Sequence, residues 1–275
     1  MSLSVVIITH NEEANLSRTL ESVQSLVSEG KGEIIVVDSG STDRTVEIAR
    51  SYGAKVFVEE WKGFAAQKNS AIDKAMGNWI LSLDADEEVG DVAREFIILV
   101  LSGSHEVLSH SAGFRFSRRN YFLGRWIRHG GFYPDEKLRM FKRGSGRFEA
   151  RSVHEDVQLS PGHQPYDALK DFDLGGRFDI LHHSYPTLSD YIEHMNRYSS
   201  LGAEMVVANG KVGFSVVNML LRPLFTFVYN YFFRLGFLDG REGLLLHLYH
   251  AVYVSWKYAK AWELSRKPSQ STMSS

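Results

Sequence analysis

Asp84-Ala85-Asp86 places two carboxylates one residue apart, directly after the apolar run 79–83. Carboxylates at the end of a buried strand can hold Mg²⁺ or Mn²⁺. The ion can in turn clamp a diphosphate and neutralise a departing nucleotide diphosphate. The competing reading is a solvated acidic loop, because Glu87 and Glu88 follow at once. No G-x-G-x-x-G follows the first apolar run and no G-x-x-x-x-G-K-[ST] occurs, which argues against a dinucleotide oxidoreductase and a P-loop NTPase.

Carboxylates used this way need a sheet edge to stand on, and the first hundred residues supply one. Residues 3–8 form a continuous apolar run of strand length, as expected of a strand covered on both faces. Leu16, Leu20, Val23 and Val27 then recur at helical spacing. A second apolar run, 34–37, ends at Asp38, and Asp43 can cap a helix that carries Val46 and Ala49 and stops near Gly53. A short strand over 55–58, a helix around 67–75 and the strand 79–83 complete a βαβαβαβ rhythm, which predicts a doubly wound α/β sheet. From about Ser111 the apolar pieces shorten between glycine- and arginine-rich loops, predicting a mixed extension of the sheet. From Leu188 the pattern is helical, so the expected domains are 1–185 and 186–275.

The chain has 275 residues, enough for one large domain or a domain with an appendage, and a net charge of −2 with no basic face or module that would read nucleic acid. With no cysteine, any metal must be held by carboxylates, histidines or water. The first nine residues lack the basic region and cleavage site of a secretion signal, so a cytoplasmic chain is expected.

The motifs around the D-x-D point further. V-V-I-I-T-H-N-E (5–12), I-I-V-V-D-S-G-S-T-D (34–43), Gln67-Lys68-Asn69 and L-S-L-D-A-D (81–86) together resemble family 2 glycosyltransferases of the GT-A fold, a Rossmann-like nucleotide-sugar-binding sheet. The resemblance implies that Thr9, Asn11, Glu12, Asp38, Lys68 and Asp84 surround the nucleoside of a nucleotide-sugar donor, with Asp84 near the ribose and Asp86 on a Mg²⁺ or Mn²⁺ ion. A uracil imide could donate to Asp38, which favours a UDP-linked donor; the alternative for Asp38 is a turn-former before Ser39-Gly40. Asn120-Tyr121-Phe122, Arg125-Trp126-Ile127-Arg128-His129-Gly130-Gly131, Leu138-Arg139-Met140-Phe141, Gly146-Arg147-Phe148 and Val153-His154-Glu155 are similar to the branch that adds β-linked glucose to the lipopolysaccharide inner core. That likeness, spanning roughly residues 3 to 260, implies transfer of glucose from UDP-glucose to a glycolipid acceptor. The alternatives are a polyprenyl-phosphate acceptor or a nucleotide-binding relative without catalysis.

An inverting transfer needs one base to take the acceptor hydroxyl's proton. Glu155 is the candidate, Asp156 its nearest rival, and His154 can orient the carboxylate; the competing reading of the segment is a loop salt bridge. Arg125, Arg128, Arg139, Arg147 and Arg151 crowd a short span. Arginine suits bidentate phosphate contacts, so some can face the donor diphosphate, Arg147 among them, and others acceptor phosphates or solvent.

Near the carboxyl terminus two ten-residue apolar runs, 212–221 and 224–233, are broken by Arg222-Pro223. A central arginine costs roughly 2.5 to 3.5 kcal/mol on insertion, and proline kinks a helix, so a bilayer-surface helix is expected in preference to a span. This predicts peripheral attachment to the cytoplasmic face of the inner membrane, the alternative being an internal or homo-oligomeric bundle.

Overall fold

The computed structural model describes residues 1–149, 156–162, 164–165, 178–210 and 213–266. The chain divides into two compact units. One holds Met1–Arg119 and Pro134–His183; the other holds Asn120–Tyr133 and the chain from Ser184 onward.

The first unit is built on strands β1 (Leu3–Thr9), β2 (Gly32–Asp38), β3 (Lys55–Val58) and β4 (Trp79–Asp84), all parallel and ordered β3-β2-β1-β4. The chain steps outward from β1 to β3 and then returns to β4 on the other side of β1. That reversal makes the β1/β4 junction the switch point where ligands bind in such sheets. Register brings the strand ends level: Thr9 lies opposite Asp38, and Ile8 opposite Asp84. Beyond β4 the sheet becomes mixed, as expected: β8 (Asp135–Lys142) is antiparallel to β4 and to β6 (Gly113–Phe122), and β11 (Asp179–Tyr185), next to β6, is antiparallel to β5 (Glu87–Val89). The two-residue β7 (Arg125–Trp126) pairs with the end of β6, and β9 (Gly146–Phe148) with β10 (Val157–Leu159) forms a separate ribbon.

Both faces of β1, β2 and β4 are covered, which is why their sequences are apolar without alternation. On one face Leu3, Val5 and Ile7 pack with α1 (Leu16–Val27), which buries Leu16, Leu20, Val23 and Leu26, and with α4 (Asp91–Ser102) through Phe96 and Ile97. Phe96 stacks on Phe178 at 4.0 Å and meets Phe114 edge-on. On the other face Val6, Ile35 and Val37 pack with Ala71 and Ile72 of α3 (Phe64–Asp73). The short α2 (Thr45–Ser51) begins where Asp43 accepts the Thr45 N–H at 3.0 Å, and α5 (Glu106–His110) leads into β6.

The second unit joins α6 (Leu188–Ala208), α7 (Arg222–Val228) flanked by single π-helical turns, and the long α8 (Gly240–Arg266). A capping box at Thr187 and Asp190 starts α6. No helix among the described residues is long and apolar enough to cross a membrane. Phe122, Ile127, Tyr191 and Leu246 form this unit's core. The arginine-rich loop after β7 is fastened into it: Asp239, almost wholly buried, accepts the backbone N–H groups of Arg128 and His129, and His129 Nδ1 lies 2.9 Å from it. Gly130 and Gly236 close on the His247 ring so tightly that a Cβ on either would sit 2.0 to 2.2 Å from it, which excludes any side chain at both positions.

His247 is buried, and neither ring nitrogen has a hydrogen-bond partner among the described residues. Burial, with the neighbouring His250 adding to it, pushes its pKa down to about 4. The unfolded chain therefore binds a proton below about pH 6.5 that the folded chain refuses until about pH 4, and stability is lost as pH falls through that window. By pH 5 the loss should be on the order of 1 to 2 kcal/mol. His247→Leu should thus narrow the gap between the melting temperatures at pH 7 and pH 5; an unchanged gap would remove His247 as the titrating group.

Candidate active site at the carboxyl edge of the sheet

Two loops are laced together where β1 and β2 end. Asp38, with no solvent exposure, accepts from the Thr9 hydroxyl at 2.9 Å and the Ser41 hydroxyl on one oxygen. Its other oxygen accepts the Gly40 and Ser41 N–H groups at 2.9 and 2.8 Å. A carboxylate offers about four acceptor positions, so Asp38 is filled by its own turn. A nucleobase imide would reach it only by displacing one of these donors. Asn11, in left-handed backbone at φ 55°, gives its N–H to Ser41 Oγ and accepts the Thr42 N–H, each at 2.8 Å. The Glu12 N–H reaches Thr45 Oγ1 at 2.7 Å.

At the end of β4 the two aspartates have different company. Asp84 lies 2.7 Å from Lys68 Nζ through one oxygen and 2.7 Å from Arg139 through the other. Burial alone would raise its carboxyl; the Arg139 guanidinium and then the Lys68 ammonium outweigh it and hold the group well below the usual carboxylate range. Beneath it, fully buried Glu87 accepts the Asp84 N–H at 3.0 Å and pairs with Arg139, with Arg118 at 3.6 Å. Arg118 continues to Asp135 at 2.7 Å. Thr19 of α1 donates to the Ala85 carbonyl at 2.7 Å, so the turn is pinned from both sides.

Among the described residues no lysine or arginine pairs with Asp86. Its carboxylate lies 3.3 Å from His182 Nε2 on β11, and the His183 N–H donates to its carbonyl at 3.0 Å. Burial would raise it, but His182 more than offsets this and its pKa is lowered. Glu12 faces the same corner: burial, together with the charges of Asp86, Asp43 and Asp84, raises its pKa against the hydrogen bond from Asn15. The donor set fits a divalent cation. Among the described residues one carboxylate and one imidazole stand side by side at the strand end, short of a three-ligand cluster, and the other coordination positions are left for phosphate oxygens and water.

Residues 4–95 match the family model described as glycosyl transferase family 2. Over almost its whole length the chain is 30% identical to the lipopolysaccharide core biosynthesis glycosyltransferase LpsC of Rhizobium meliloti, covering 96% of this chain and 93% of that protein. The chain belongs to the family 2 glycosyltransferases. An uncharacterized glycosyltransferase of Rickettsia typhi is also 30% identical, over 96% of this chain and 88% of its own. Among solved structures, a mannosyltransferase from Pyrobaculum calidifontis, determined in complex with GDP-Man and Mn²⁺, superposes with a TM-score of 0.53 at 16% identity, covering 95% of this chain and 87% of that one. At that identity the likeness is one of fold, and the sheet of this family 2 glycosyltransferase is the GT-A sheet.

The structure of this glycosyltransferase therefore gathers Thr9, Asn11, Glu12, Asp38, Lys68, Asp84 and Asp86 at one sheet edge. Arg147 is engaged elsewhere: it pairs with Asp73 at the end of α3 and lines a cavity of about 410 Å³ with Ile72, Arg143 and Leu159. Arg125 pairs with Glu242, and Arg128 lies over the Trp126 ring at 4.1 Å. His154, Glu155 and Arg151 lie outside the described residues, and Asp156 stands half-exposed, 3.9 Å from Lys137. Glu87, Arg118 and His182 escaped the sequence reading. The acidic pair after D-A-D and the His-His at the end of an apolar strand were the available signals.

Arg139 neutralises a carboxylate that water cannot reach, so its loss should be costly. Arg139→Met should destabilise the transferase by about 3 to 5 kcal/mol, and adding Glu87→Gln should recover part of that, because the charge left unpaired is gone. Urea unfolding of both variants measures it; a double variant no more stable than the single one would show that Arg139 acts through packing.

Proposed function

We propose that this glycosyltransferase moves a hexose, glucose from UDP-glucose, onto the lipopolysaccharide inner core or a related glycolipid. The observation that carries the donor side is the division of labour in the D-x-D: among the described residues Asp84 pairs with Lys68 and Arg139, whereas Asp86 pairs with the His182 imidazole. In this reading Asp86 and His182 hold the divalent metal, which supplies positive charge to the departing diphosphate. Lys68 and Arg139 fix Asp84 beside the ribose and add to the positive potential under the phosphates. The acceptor side rests on the likeness to LpsC, a lipopolysaccharide core biosynthesis glycosyltransferase, over nearly the full length of both chains.

The acceptor oxygen bonds to the anomeric carbon as the bond from that carbon to the diphosphate oxygen breaks. The bonding pair leaves with the diphosphate, and the hydroxyl proton passes to a carboxylate of the H-E-D segment. Water need not take part.

The donor side is tested by calorimetry of UDP, CDP and GDP with Mn²⁺ and with EDTA. UDP with metal should bind tightest, and CDP, which lacks the imide hydrogen, more weakly. Asp86→Ala and His182→Ala should abolish the metal dependence, and Asp84→Asn should weaken binding less. Equal UDP affinity with and without EDTA in the unmodified protein would overturn the metal assignment.

The base is tested on the acceptor reaction. Glu155→Gln keeps size and hydrogen bonding but cannot take the proton, so kcat should fall by about 10² to 10⁴ with donor binding nearly unchanged. Normal turnover in Glu155→Gln with a dead Asp156→Asn would move the role to Asp156, and two active variants would place the base outside this segment.

A further inference from the structure

The described residues between 213 and 238 bury almost nothing. Thirteen large apolar side chains there stand more than a third exposed, Leu220, Phe225 and Phe233 at 65%, 67% and 76%, while only Pro223 and Gly236 are buried. Half-exposed aromatic and aliphatic side chains in that number present on the order of 1,000 Å² of apolar surface, against the few hundred usual for the largest patch of a soluble monomer. A helical segment that is apolar on its outward side must be covered by something.

Charge selects the cover. The stretch 213–238 contains no Asp or Glu, and its cations are Arg222 and Arg234. Arg222 lies over the Tyr258 ring at 5.0 Å and Arg234 over Tyr229 at 5.9 Å, so both remain next to aromatic rings at the surface. The asymmetry extends through the unit. Asn120–Tyr133 with the chain from Ser184 on carries eleven Lys and Arg against six Asp and Glu, a surplus of five, whereas the rest of the chain carries twenty against twenty-seven. A second copy packed on this face through a twofold axis would bring like-charged arginines together. An anionic lipid surface would neutralise them and accept the aromatic side chains at headgroup depth.

We infer that the segment 213–238 is a docking face for an anionic lipid surface, on which it lies without spanning. The inference goes beyond the proposed reaction and is independent of the sugar moved.

The test uses the full chain in sedimentation with phosphatidylcholine vesicles, with and without phosphatidylglycerol. The unmodified protein should pellet with the anionic vesicles, and high salt should weaken that binding. Phe225→Ser with Phe233→Ser should lower the partition coefficient by about tenfold or more. Arg222→Gln with Arg234→Gln should lower it by about tenfold on anionic vesicles and little on neutral ones. These positions are exposed, so the fold should survive, and circular dichroism checks that it does. Three results would overturn the inference: no pelleting with either vesicle, unchanged pelleting of the phenylalanine variant, or a lipid-free dimer, seen by light scattering, that this variant dissociates. Titrating the same variants with UDP reads the other unit; intact UDP binding beside a failed vesicle test would remove the docking face and leave the donor site standing.

Discussion

Glu87 has no access to solvent, and an unpaired carboxylate in that position would cost several kcal/mol. Much of the catalytic edge follows from that requirement. Arg139 from β8 and Arg118 from β6 neutralise it, and in doing so tie two antiparallel strands to the turn that follows β4. Arg139 then reaches Asp84, and Asp84 reaches Lys68 on α3. Four elements far apart in sequence are thereby brought to one point. The D-A-D turn takes its shape from the Asp84 N–H donating to Glu87 on one side and the Ala85 carbonyl accepting from Thr19 on the other.

The same network decides what each aspartate can do. Two cations on Asp84 leave a nearly neutral cluster that attracts no further positive charge. Asp86, two residues on, lies beside His182 and near Glu12, whose pKa is raised first by burial and then by the neighbouring carboxylates. A motif with two identical residues thus presents two chemically different carboxylates, and the difference comes from residues on β8, α3 and β11.

The parallel half of the sheet was legible because burial on both faces forces unbroken apolar runs, and their ends at Thr9, Asp38 and Asp84 mark the carboxyl edge. The motif resemblance led to the right family because most of its residues stand at or beside those strand ends. What could not be read was the partnership between distant charges. Arg139 meets Glu87 across 52 residues, and His182 meets Asp86 only because β11 runs antiparallel to β5. Nor could the partners of Arg125 and Arg128 be read: Glu242 lies 3.8 Å from the first, and the second lies over the Trp126 ring. The domain boundary has a related difficulty: a linear division cannot express that Asn120–Tyr133 is housed with the chain from Ser184 on.

That housing bears on how the chain is made. The loop carrying Arg128 and His129 leaves the ribosome about 110 residues before Asp239, the carboxylate that anchors it. At about 5 to 20 residues per second the loop waits roughly 5 to 20 seconds for its anchor, long enough for the preceding sheet to form first. During that interval its backbone donors and the apolar side chains of Ile127 and Phe132 are available to chaperones or to a second nascent chain. The segment that supplies Asp239 is therefore also the one that secures a loop made about 110 residues earlier.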